Sequence, residues 1–309
     1  MSSIAVTCGL IILVLLVIML LAGVPIAVAL AVSSIAAILP VLNTGAAVLT
    51  GAQRIFSGIS VFSLLAIPFF ILAGNLMNKG GIAIRLINFA KLFTGRIPGA
   101  LAHTNAVANM LFGAISGSGT AAASAMGSII GPIEEEEGYD RDFSAAANIA
   151  TAPTGLLIPP SNVMITYSLV SGGTSVAALF MAGYIPGILM GVGSMVVAFI
   201  YAKKHKYPTS GKTPMKEALK VTLEAIPSLL LIIIVIGGIV AGIFTATEGA
   251  GICVLYCLIL SVCYRSITVK SFMKILVSSA CTSGIILFLI SASSAMSFVM
   301  AYSGIPAAI

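Results

Sequence analysis

Charge is what this sequence has least of. Asp, Glu, Lys and Arg make up 8% of its 309 residues, against about 25% in an ordinary soluble domain. Hydrophobic residues make up 59%. Such a chain cannot cover itself with a hydrated surface, so a soluble domain is excluded and an all-α polytopic membrane protein is predicted. Carboxylates are scarcer still, nine in all. Glu134–Glu137, Asp140 and Asp142 share one loop, Glu217 and Glu224 lie in or next to a basic loop, and Glu248 opens an apolar run. None lies mid-span, where proton relays keep their acids. Cysteine occurs five times with no CxxC pair, which argues against a metal or redox centre. No Lys or Arg precedes the first apolar run. Signal peptides usually carry one there, so a retained span is expected.

What is present is a series of apolar runs near 4–22, 25–42, 60–77, 142–170, 175–202, 224–244, 247–264 and 275–302. Each approaches the roughly 20 residues that span a bilayer. The stretch 98–133 is apolar but interrupted at "SGSGT". It predicts a re-entrant hairpin of two half-depth helices. Charge placement supports the hairpin. If it returns to its own side, the basic residues Lys79, Arg85, Lys91, Arg96 and Arg141, the six within 203–220, and Arg265, Lys270 and Lys274 all become cytoplasmic. Those are 14 of the 15, leaving only Arg54 outside, a strong positive-inside bias. The same placement in loops makes nucleic acid an unsuitable partner. Five crossings and a hairpin before the basic loop make an odd unit, so a second copy would be inverted. The expected division is a first repeat over 1–202, a cytoplasmic loop over 203–222 and a partial second repeat over 223–309.

The run 142–170 contains "TAPTGLLIPPSNVMITY", with Pro153, Gly155, Pro159 and Pro160. Broken helix inside a bilayer is tolerated only where it lines an enclosed cavity. This break and the tip at 116–120 therefore predict one polar site near mid-depth. Pro159 and Pro160 suit the first turn of a new half-helix, with Ser161 and Asn162 beside it. Gly117 and Gly119 let the tip turn, and Ser118 or Thr120 can cap the second arm. Half-helix N-termini suit an anion, and freed carbonyls and hydroxyls suit sodium. "GIFTATEGAG" predicts an N-cap at Thr245 or Thr247 with Glu248 on the first turn. The run "EEEEGYDR" contains EExxxR, an intramembrane protease signature. It lies at the membrane edge, interrupted by Gly138, with only His205 downstream. A solvated loop is the expected reading. His103, on the first arm, is expected to be packed or interfacial.

The segments "AIPFFILAGNLMNKGGIAIRL" (66–86), "AISGSGTAAASAMGSIIGP" (114–132), "GYDRDFSAAANIATAPTGLLIPPSNVMITYS" (138–168), "LFMAGYIPGILMG" (179–191) and "GIFTATEGAG" (242–251) together resemble the large membrane subunit of TRAP (tripartite ATP-independent periplasmic) transporters. The resemblance implies a sodium-coupled, elevator-type permease of the bacterial inner membrane. It implies two partners, a small four-helix membrane subunit and a periplasmic binding protein, and organic-acid substrates such as C4-dicarboxylates or sialic acid. No organic cofactor is implied. Carried over residue by residue, the first sodium site involves Ser116, Gly117, Ser118, Gly119 and Thr120 with the break from Thr154 and Gly155 through Pro159, Pro160, Ser161 and Asn162. Ser116, Ser118, Thr120 and Ser161 supply hydroxyl oxygens. The family continues into a second hairpin and a second Pro-Pro break, which this sequence does not contain, so the second sodium site is expected to be incomplete. The alternatives are a carrier that needs no binding protein and an inactive truncated subunit.

Overall fold

The computed structural model describes residues 3–171, 173–211 and 214–308. Every regular element among them is helical. Six helices are long and apolar enough to cross a membrane, as an all-α polytopic protein requires. Two compact units form, one from Met1–Leu64 with Cys281–Ile309 and one from Leu65–Ala280.

The first unit contains α1 (Ser3–Leu21), α2 (Ile26–Ile38) and α3 (Thr44–Ile59). The close of α14 (Val269–Tyr302) and the short α15 (Ile305–Ala308) complete it. Its core is built from Ala5, Cys8, Ile12, Ala37, Ile38, Ala47, Val299 and Ile305. The helix α3 occupies what hydropathy alone leaves as a connection. Asn43 caps it, its side chain accepting from the Ala46 N–H at 2.8 Å. The Arg54 guanidinium lies 3.8 Å from the Phe298 ring centroid, so the single basic residue of this unit is held by a cation–π contact.

The second unit contains α4 (Ala66–Lys79), α5 (Ile82–Thr94), α6 (Ala100–Ser116), α7 (Gly119–Glu136), α8 (Arg141–Thr151), α9 (Thr154–Leu157), α10 (Asn162–Val170), α11 (Val176–His205), α12 (Met215–Val240) and α13 (Ala246–Cys263). The helix α5 is a second element that the span count passes over. It buries Ile82, Ala83, Leu86, Ile87, Ala90 and Thr94, one face at three- and four-residue spacing.

The hairpin is present as α6 and α7, joined across Gly117 and Ser118. Gly117 takes φ +60 and Ser118 is extended. The arms hold 17 and 18 residues, about 25 Å each at 1.5 Å per residue. They are therefore longer than the half-depth arms predicted. The second arm ends because Gly138, at φ +82, permits a Schellman turn. The Tyr139 N–H donates to Glu134 O and the Gly138 N–H to Glu135 O. Tyr139 is thereby folded back, and its hydroxyl accepts from the Leu101 N–H at 3.3 Å. The end of one arm thus meets the start of the other.

The basic stretches of this unit gather at one end. The Gly99 N–H donates to Pro208 O, and the Asp140 N–H donates to the Tyr207 hydroxyl at 3.1 Å. Tyr139 and Tyr207 stack with centroids 4.4 Å apart. Gly80 abuts Ser261, Gly81 abuts Ser266, and Arg85 stacks 3.5 Å from the Tyr264 ring centroid. Gly95 abuts Ser210 and Gly211. The short connection between α12 and α13 makes them antiparallel, which brings Met215 to the same end as Cys263. Both ends of α5 lie there too, so α5 runs along that end and does not cross.

Candidate functional site

Mid-way through the second unit, three helix segments come too close for side chains. A methyl on Gly113 of α6 would lie 2.0 Å from the Gly155 Cα of α9. A methyl on Gly119 would lie 3.1 Å from Ala152 O. Glycine is needed here for close approach of two backbones. The break itself runs from the end of α8 at Thr151 through α9 to the start of α10 at Asn162. The eleven residues of α8 rise about 16 Å from the basic end, close to half of a hydrocarbon core of about 30 Å.

The tip and the break meet. The Asn162 N–H donates to Gly117 O at 3.4 Å, and Gly117 lies against Pro160 O. Two helices begin at this junction. Ser118 caps α7 through the Ala121 N–H at 3.3 Å. Ser161 caps α10 through the Met164 N–H at 3.5 Å. Pro159 and Pro160 are joined by a cis bond and precede the Ser161 cap, so they stand in the extended break and not in the first turn of α10 as predicted. Ser116 is buried and its hydroxyl donates to Ser118 O at 3.5 Å. Thr154 is buried and donates to Thr151 O at 2.6 Å. Thr120 is exposed, its hydroxyl 3.1 Å from that of Ser118.

The junction therefore holds Ser116, Gly117, Ser118, Gly119, Pro160, Ser161 and Asn162 together. Thr154 and Gly155 form the packing floor one turn away. The Asn162 Oδ1 is buried with no hydrogen-bond partner. An orphaned acceptor among hydroxyls and carbonyls, with no charged residue in the set, fits a hard monovalent cation. Each capping hydroxyl has two acceptor lone pairs, of which the cap uses one.

Sequence reasoning missed a second polar cluster. The Asn109 amide of α6 donates to Asn105 Oδ1 at 2.9 Å, to Thr151 Oγ1 at 2.8 Å and to Asn148 Oδ1 at 3.1 Å. The Asn148 amide donates to Ala123 O at 2.8 Å, tying α8 to α7. Asparagines at 105, 109 and 148 inside apolar helices were the available signal. Glu134 also departs from expectation. It is 1% exposed and belongs to the last turn of α7, not to a solvated loop. Burial pushes its carboxyl up to about 7, partly offset by the Ser144 hydroxyl and reinforced by the Glu137 charge. His103 is buried beside Phe199, the packed position expected. Of the two caps expected at Thr245 or Thr247, the structure uses Thr245, which forms a reciprocal capping box with Glu248.

Residues 13–309 match the family described as "Tripartite ATP-independent periplasmic transporter, DctM component". The chain is 52% identical to the uncharacterized protein YgiK of Salmonella typhimurium over 94% of its length and 66% of that protein's. It is 37% identical to the C4-dicarboxylate TRAP transporter large permease protein DctM of Rhodobacter capsulatus, over 96% of this chain and 70% of the relative. It is also 37% identical to the sialic acid TRAP transporter large permease protein SiaM of Vibrio cholerae, over 93% and 67% respectively. The chain thus spans about two-thirds of the length of these relatives. With its apolar helices, it is a multi-pass protein of the bacterial inner membrane and belongs to the DctM family of TRAP transporter large permeases.

Proposed function

We propose that the chain forms the substrate- and ion-binding part of a sodium-coupled permease that imports an organic acid, a C4-dicarboxylate or a sugar acid such as sialic acid. A periplasmic binding protein delivers the substrate and a small membrane subunit accompanies the permease. The observation that carries the reading is the junction of the hairpin tip with the broken helix, where the Asn162 N–H reaches Gly117 O and the Asn162 Oδ1 has no partner.

Sodium is a co-substrate in this reading. It takes oxygens from Asn162, the freed backbone carbonyls of the tip and break, and the hydroxyls of Ser116, Ser118 and Ser161, with Thr120 at the rim. The N-termini of α7 and α10 both open at the junction, and their partial positive charge favours an anionic substrate. Neutral ligands tie ion binding to geometry and not to protonation, which favours sodium over protons as the coupling ion. The inverted arrangement of 1–202 against 223–309 and an elevator movement of the site belong to the same proposal.

The test is uptake into proteoliposomes containing the permease with its small subunit, supplied with the binding protein and labelled C4-dicarboxylate or sialic acid. Uptake is expected to require an inward sodium gradient and to persist when the proton gradient is collapsed at fixed membrane potential. Uptake that survives sodium removal and follows the pH gradient would overturn the reading.

A further inference from the structure

A separate cavity of about 400 Å³ opens at the base of the hairpin, lined mainly by α7 and α8 with Asn105 of α6. We propose that this cavity binds a monovalent cation, with the Glu134 carboxylate as its charged ligand and the Ser144 hydroxyl as a neutral one.

Glu134 lines the cavity from α7 at 1% exposure, and its Oε1 has no hydrogen-bond partner. The Ser144 hydroxyl lines it from α8 and faces the Glu134 carboxyl. An orphaned carboxylate oxygen and a hydroxyl, from two helices, thus border one polar space. Asn105 of α6 adds a buried amide to the same wall.

The charges around Glu134 leave it unneutralised. Glu135 and Glu137 flank it on its own helix and cap, and Tyr139 closes the turn. The cation among the lining residues is Arg141 of α8, whose Nε lies 3.5 Å from Glu135, with both side chains largely exposed. Arg141 is therefore engaged at the rim. Four consecutive acids also stand at the C-terminus of α7, where the helix dipole is already negative. A bound cation accounts for both features. One buried carboxylate with neutral oxygens suits sodium or potassium, whereas calcium collects several carboxylates.

When the cavity holds no cation, burial raises the Glu134 carboxyl to about 7, so a proton and the cation compete for it. The raised value also fixes the sign of the linkage. The unfolded chain gives up this proton near its ordinary value of 4.5 and the folded chain near 7. Glu134 thus stabilises the fold at low pH, and that contribution is lost as pH rises through about 7.

The experiment follows thermal unfolding of the purified chain in detergent with a maleimide dye that reports exposure of the buried Cys8, Cys253 and Cys257. Sodium chloride, potassium chloride and choline chloride are titrated at constant ionic strength. In choline, the melting temperature should fall between pH 5 and pH 8, and sodium or potassium should restore it. The half-restoring cation concentration should rise about tenfold from pH 8 to pH 6, the ratio imposed by one competing proton of pKa about 7. Glu134→Gln should abolish both the pH dependence and its cation reversal. Ser144→Ala, which leaves the charge in place, should raise the half-restoring concentration several-fold. Asn162→Ala, at the start of α10 after the helix break, should leave this pH-linked component intact. A cation response unchanged in Glu134→Gln, or lost in Asn162→Ala and kept in Glu134→Gln, overturns the proposal. So does a stabilisation by chloride salts that choline reproduces.

Discussion

At the scale of single residues, the site depends on where side chains are missing as much as on where they are present. Gly113 and Gly155 face each other across α6 and α9, and a methyl on Gly113 would lie 2.0 Å from backbone. Backbone cannot rotate away as a flexible side chain can. Gly113→Ala is expected to cost at least the 1–3 kcal/mol typical of overpacking, about 5- to 150-fold in folded fraction. Thermal unfolding of the purified variant measures it, and a melting temperature equal to the parent would show that α6 and α9 can separate freely. Ser161 requires a finer comparison, because its hydroxyl caps α10 and is also offered as a sodium ligand. Loss of a cap costs about 0.5–2 kcal/mol for Ala but only a few tenths for Gly. If capping were its whole role, Ser161→Gly should transport almost normally while Ser161→Ala is impaired. The sodium reading expects both variants to need about 5- to 150-fold more sodium, the equivalent of about 1–3 kcal/mol for an unpaired partner. Uptake measured against sodium concentration separates the two.

At the scale of elements, the helices end where local chemistry says they should, and two of these ends can be tested without transport. Thr245 and Glu248 cap α13 reciprocally, with the Thr245 N–H donating to the Glu248 carboxylate at 2.8 Å. Glu248→Ala should therefore lower the melting temperature while sodium dependence stays at the parental value. A changed sodium dependence would give Glu248 a place in the ion path. The Schellman turn at Gly138 makes the complementary case. Its φ of +82 penalises a Cβ by roughly 1–2 kcal/mol. Gly138→Ala should loosen the turn that folds Tyr139 against Leu101 and should lower thermal stability accordingly. An unchanged melting point would show that the turn tolerates another conformation.

At the scale of the whole molecule, the hairpin decides the sidedness of the chain. Leu101 and Tyr139 are hydrogen-bonded, and Asp140 and Tyr207 are hydrogen-bonded, so both ends of the hairpin lie with the end of α11. Single cysteines placed at 139 and at 207, in a background where the exposed Cys263 and Cys281 are replaced, should react with a membrane-impermeant reagent from the same side. That side is expected to be cytoplasmic, with a cysteine at position 54 reacting from the periplasm. Labelling of 139 and 207 from opposite sides would remove the hairpin.

The sequence by itself determined the membrane class, the hairpin with its tip at 116–120, the break at 153–160 and a threonine cap before Glu248. Each of these rests on local properties. Hydropathy sums over one segment, glycine admits a positive φ, and serine or threonine satisfies the first free N–H groups of its own helix. The amphipathic α3 and α5 were also legible in principle, through Asn43 and through the spacing of Ile82, Leu86 and Ala90. They were missed because a count of long apolar runs passes over short helices with one polar face. Tertiary structure alone decided that Gly117 meets Asn162, that Gly113 meets Gly155, and that Glu134 is enclosed while Glu135 beside it is exposed. Burial and close approach depend on which distant helix covers a residue. The periodicity of a single segment records which of its faces is apolar and carries no record of the neighbour that will close over it.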